Sequence, residues 1–122
     1  MDLARSSTTD AAARAEAVRA AFRTRVESCV LGRLAWVKTE PADEPATWSR
    51  ARRDAIDYLQ MLFAGGALSG TTPAQAYNVV CDHTTMRGAP AGQLHVIIGA
   101  APLRPAELEL IHLMIPSAPA TR

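Results

Sequence analysis

An α+β domain is what this sequence predicts, with two main helices packed on a small mixed β-sheet of about four strands. Three observations predict it. Two long segments carry apolar residues at three- and four-residue steps, the mark of a helix with one buried face. Several short β-branched runs lie between turns rich in Gly and Pro, the mark of strands. The chain has 122 residues, 48% of them hydrophobic and 20% charged, which suits one globular domain with a modest core and is too short for two.

Asp10 can accept hydrogen bonds from the amides that open a helix, and the Ala- and Arg-rich run behind it has high helix propensity. Val18, Phe22, Val26, Cys29 and Val30 share one stripe, with Arg14, Arg19, Arg23 and Glu27 largely elsewhere, so a first helix is expected over 11–32. Residues 34–38, with Trp36 and Val37, read as a strand cut off by the polar, proline-containing segment 39–45. Pro45 suits the first turn of a second helix because its missing amide hydrogen would be unpaired there anyway. Trp48, Ala55, Ile56, Leu59, Leu62 and Phe63 keep helical period down to Gly65 and Gly66, where this helix must stop. Trp48, Ile56, Leu59 and Phe63 are expected to face the sheet.

Downstream, Thr72, Pro73 and Gln75 have the spacing of a capping box on a single helical turn. Residues 77–81 and 94–99 read as strands, and the Gly- and Pro-rich 87–92 between them as a loop. A last strand over about 107–115 places Leu108, Leu110 and His112 on one face and Glu109, Ile111 and Leu113 on the other, so covering of both faces is expected. The organisation is thus an N-terminal arm at 1–10, a domain at 11–116 and a tail at 117–122, the arm and tail expected to be flexible. A sheet this small leaves an edge with unpaired amides and carbonyls, which a strand from a neighbouring subunit can complete.

A net charge of +1 argues against nucleic-acid binding, which calls for a basic excess to neutralise phosphates. No apolar run approaches the roughly 18 residues needed to span a bilayer, and no signal segment opens the chain, so membrane insertion is not expected and synthesis in the cytoplasm is. In that reducing compartment Cys29 and Cys81 read as two small buried hydrophobes, with no disulfide.

Catalytic chemistry finds little support. Cys81, His83, His95 and His112 match no zinc spacing, and no oxyanion-hole turn accompanies a Cys–His pair, so these read as scattered strand and turn residues. Asp82, Glu107 and Glu109 lack a partner at a spacing that fixes two acids on one face; Glu107 reads as a residue pairing with Arg104 or a helix arginine. The glycines lack the strand–loop–helix context and lysine of a phosphate cradle. The expectation is a chain that is not an enzyme and needs no cofactor or metal. Arg50, Arg52 and Arg53 near the start of the second helix form the one notable cationic group, with Asp54 and Asp57 close behind.

Four ordered blocks carry a resemblance. They are Gly-Ala-Leu-Ser-Gly-Thr-Thr-Pro-Ala-Gln-Ala at 66–76, Cys-Asp-His-Thr-Thr at 81–85, Gly-Gln-Leu at 92–94 and Ala-Pro-Leu-Arg-Pro-Ala-Glu at 101–107. Upstream stand Glu27-Ser28, Trp36-Val37-Lys38-Thr39-Glu40-Pro41, the acidic pair Asp43-Glu44, then Trp48 and Arg52-Arg53. In this order they resemble the C-terminal domain of tail sheath proteins of contractile phage tails and related injection machines, over residues 22–115. The departures are the loop 87–91, which replaces an Asp-rich one, and the large upstream domains of a full sheath subunit.

The resemblance implies a structural subunit of a phage tail-like contractile injection system. It would be a minimal sheath-like protein that assembles with itself in a six-fold ring, with full-length sheath subunits, with the inner tube, or with cap or baseplate proteins as an adaptor. Exchange of terminal arms between neighbours is the implied linkage. The implied partner interface comprises Arg50, Arg52 and Arg53 against an acidic tube, and Leu108, Leu110, His112 and Met114 on the last strand. The rival expectation is a small monomeric α/β domain that binds a ligand or acts as an enzyme.

Overall fold

The computed structural model describes the backbone of residues 3–118 and the side chains of residues 10–118. Helix α1 spans Leu3–Arg33, a rod of 31 residues that at roughly 1.5 Å per residue is about 46 Å long. It begins well before the expected position 11, because nothing in residues 3–10 breaks a helix: there is no Gly or Pro. Gly32 does not end it either, and the Leu34 amide still reaches the Val30 carbonyl at 2.9 Å. Among the described residues, the buried ones lie in its C-terminal half. Val26 and Val30 are wholly buried and Phe22 partly so, whereas Val18, Leu31 and Cys29 are exposed. Cys29 is therefore not the buried hydrophobe its place in the stripe suggested, while Cys81 is; both are free thiols.

Residues 34–38 do not form a strand. A 3-10 helix occupies Ala35–Thr39, and its logic is a three-residue spacing: Leu34 and Val37 are both wholly buried, while Trp36 between them turns to donate its indole N–H to Asp54 at 2.9 Å. A strand would have put residues 34 and 37 on opposite faces. Helix α2 spans Pro45–Ala64 with Pro in its first turn and ends where the Gly65 amide bonds back to the Met61 carbonyl. Ala51, Ala55, Tyr58 and Leu59 form its buried face, with Trp48, Ile56, Leu62 and Phe63 packed at the margin.

Two short helices follow. The first, α3 at Pro73–Ala76, is not closed by the expected capping box: Gln75 instead accepts from the Thr71 amide at 2.9 Å and from its hydroxyl, and Thr72 makes no side-chain cap. The second, α4 at His83–Met86, was not expected and does carry a capping box, Asp82 accepting from the α4 backbone while the Thr85 hydroxyl accepts from the Asp82 amide.

The sheet has three strands, not about four, and is antiparallel throughout rather than mixed: β1 (Tyr77–Val80), β2 (Gln93–Ala100) and β3 (Glu109–Pro116), in that order. The missing strand is the 3-10 segment. Val79, then Leu94, Val96 and Ile98, then Ile111, Leu113 and Ile115 point from the three strands into one core with both long helices. The opposite face has no helical layer among the described residues, so the expected covering of both faces of the last strand does not hold: Leu110 and Met114 are 70% and 58% exposed. The fold is thus a two-layer α+β sandwich with one naked sheet face.

Candidate functional site

Register decides what the sheet offers to another molecule. The Ser117 amide donates to the Gly92 carbonyl at 2.9 Å, in register with the pairing of Leu94 with Ile115 and Val96 with Leu113. Backbone groups alternate inward and outward along an antiparallel ladder. The amides of Leu110, His112 and Met114, with the carbonyls of those residues and of Pro116, therefore point away from β2 at the outer edge of β3. The Ala118 amide, in the same phase, is already taken by the Glu40 carbonyl at 2.9 Å, where Pro41 and Ala118 make an isolated parallel bridge. Among the described residues, the open stretch of edge is Leu110 to Met114.

Helix α1 runs beside it. Arg23 binds Glu109 at 2.5 Å and also Glu16, which pulls the Glu16 carboxyl below its ordinary range through hydrogen bonds from Arg19 and Arg23. Ala20, Arg23, Thr24 and Glu27 face Leu110 and His112 across a shallow groove.

The opposite edge of the sheet is blunted. In β1, Val79 points its carbonyl outward and Arg52 of α2 donates to it through Nε at 3.2 Å, while the strand itself is only four residues long. Met86 of α4 closes the neighbouring position, its sulfur accepting from the His95 amide at 3.3 Å.

The naked face continues the open edge. Gly99 lies under Leu108, and a Cβ at that glycine would sit 3.0 Å from the Leu108 Cδ1 atom, so the glycine makes the seat on which Leu108 lies. Leu110 pairs with Gly99, His112 with Ile97 and Met114 with His95. His95 Nδ1 and His112 Nε2 are 3.0 Å apart, and His95 Nε2 is 3.3 Å from the Gln93 amide oxygen. Burial, with the neighbouring His112, holds the His95 pKa below its ordinary value.

Of the residues expected at an interface, Leu108, Leu110, His112 and Met114 are brought together on this face. The three arginines are not. Arg50 stacks on the Trp36 ring with its guanidinium carbon 3.9 Å from the centroid, Arg52 serves the β1 edge, and Arg53 is exposed without an ion pair among the described residues. Internal partners thus account for two of the three cations near the α2 N-terminus. Glu107 does face Arg104, at 3.9 Å and in solvent.

Sequence reasoning missed the His95–His112 pair. The signal was strand alternation in two segments, but only the register puts the rings together. His83 stands apart in α4, and Cys81 points into the core, where burial raises its pKa to about 12. A second concavity, of about 420 Å³, lies at the other end of the sheet between Trp48, Asp43, His83, Met86 and the 89–93 loop. No helix of the described residues is long and apolar enough to cross a membrane. Neither protein-family models, nor curated proteins, nor solved structures give a match to this chain.

Proposed function

We propose that the chain is a structural subunit of a contractile phage tail-like injection system, a minimal sheath-like protein that joins neighbours by strand addition. The observation that supports this most is the outer edge of β3. Among the described residues three successive outward amides have no partner, an apolar face adjoins them, and the opposite edge is closed by Arg52. Long, flat, unprotected edges are a liability in a protein that works alone, and charge or proline normally blunts them. Here Pro116 marks only the end of the strand.

The incoming strand would be a neighbour's terminal arm, residues 3–10 unwinding from α1 or 108–122 swapping out of their own sheet, or a strand of a full-length sheath subunit. The ordered motif blocks over residues 22–115 supply the link to contractile tails. Six-fold rings, and a position as adaptor at the cap or baseplate end, belong to the same proposal. Arg53 is the arginine free to meet an acidic tube surface.

Expressing the chain with a contractile-tail sheath and tube and imaging the assemblies tests the reading. The chain is expected at a fixed, periodic position on the particle, with loss of that density when Leu110 is replaced by Asp. Absence of the chain from every particle fraction would reject it. The concavity lined by Trp48 and His83 favours the second reading, a small ligand-binding domain, and a small molecule that raises Tm through Trp48 would support it instead.

A further inference from the structure

We propose that His95, His112 and Met114 form a copper(I) site on the naked face of the sheet. This does not rest on the assembly reading. The observation behind it is a pair of imidazoles already facing each other, Nδ1 to Nε2, at 3.0 Å on adjacent strands. Two imidazole nitrogens bound to one ion at about 2.0 Å, with an angle near trigonal or tetrahedral, lie roughly 3.3 to 3.5 Å apart. The rings need to part by a few tenths of an ångström and each to turn by about 30°, so that both lone pairs converge on the ion.

The tautomers also fit. Gln93 Oε1 at 3.3 Å from His95 Nε2 is placed to accept from an Nε2–H, which leaves the lone pair on Nδ1, the atom that faces His112. In the metal-free chain His112 Nε2–H donates to that lone pair. On binding, the ion takes the place of this bridging proton, and His112 carries its hydrogen on Nδ1 instead; no net proton or electron is exchanged.

Register supplies the third ligand. Met114 lies directly opposite His95, and its position on β3 is two residues from His112, so all three side chains leave the same face. The 95–114 pair is in the non-hydrogen-bonded phase, the one in which Cα atoms are closest, about 4.5 Å. Met114 is 58% exposed and His112 is exposed, so an ion can reach them without opening the core. Among the described residues no three His, Cys, Asp or Glu side chains converge, which leaves a thioether as the third donor and makes the set soft. Two imidazoles with a thioether suit copper(I), which accepts three soft ligands; magnesium and calcium want oxygen, and zinc prefers four ligands.

The test uses the full chain carrying Cys29→Ser, which removes the exposed thiol, titrated anaerobically against the coloured copper(I)–bicinchoninate complex. One equivalent of copper should be withdrawn from the chelator. His95→Gln and His112→Gln should each weaken binding roughly tenfold or more, and Met114→Leu likewise, with Tm and circular dichroism unchanged because the three side chains lie outside the core. Failure to withdraw copper, or equal affinity in either histidine variant, would overturn the site. Unchanged affinity in Met114→Leu would overturn the three-ligand set.

Discussion

Leu59 and Phe63 lie one helical turn apart on α2, yet they carry different loads. Leu59 is wholly buried beneath the sheet, whereas Phe63 sits at the margin with its ring edge-on to Tyr77, centroids 6.4 Å apart. Replacing Leu59 with Ala is expected to cost about 2 to 5 kcal/mol, and Phe63→Ala less than the roughly 3 to 5 kcal/mol of a fully enclosed phenylalanine. Urea denaturation of the two variants measures the order. Sequence spacing put both on the packed face correctly but could not rank them, since depth depends on what lies above the helix. It also missed Tyr58 and Ala51, which are buried.

Two buried acids give the fold an alkaline limit. Burial pushes Cys81 from 9.0 up to about 12 and Tyr58 from 10.0 up to about 12. The folded state favours the neutral thiol and phenol, so this stability is whole below pH 9 and is lost as pH rises from 9 toward 12. Urea midpoints are expected to be level up to pH 9 and to fall beyond it, with Cys81→Val flattening the first part of the fall and Tyr58→Phe the later part. A midpoint in Cys81→Val that still falls in parallel with the parent between pH 9 and 10 would contradict this.

At the scale of elements, the proline tolerance of β3 reads out its phase. The Leu113 amide points to β2, and the Met114 amide points outward. Leu113→Pro is expected to remove a ladder bond and a buried side chain and to unfold the sheet, while Met114→Pro should fold with its stability little changed, as prolines do at outward edge positions. Circular dichroism and Tm distinguish them. Equal damage from both would show that the outer edge is occupied within the chain.

The elements were unequally legible. Helix α2 and strands β2 and β3 could be read because Pro45, the paired glycines and the β-branched runs state their limits locally. The segment at 34–38 could not, because four apolar or aromatic residues suit either a strand or a 3-10 turn, and the indole bond from Trp36 to Asp54 that fixes it is tertiary. The α4 helix hid in a run of His and Thr, although Asp82 and Thr85 stood at capping-box spacing. The last strand's residues Leu108, Leu110 and His112 share one face by alternation alone; that this face is naked depends on both helices choosing the other side.

Across the described residues the molecule is asymmetric: one edge capped by Arg52, one edge open, one face packed and one bare. The stretch of α1 at 10–14 adds to this, since those residues are all exposed and make no part of the core. The role proposed for the open edge of β3 is to join subunits. Sedimentation velocity and electron microscopy of the purified chain beside Met114→Pro test it most directly. Ring-sized oligomers are expected for the parent, dissolving to a folded monomer of 13.0 kDa in the variant. A parent chain that stays monomeric at every concentration, or a variant that assembles as the parent does, would contradict it.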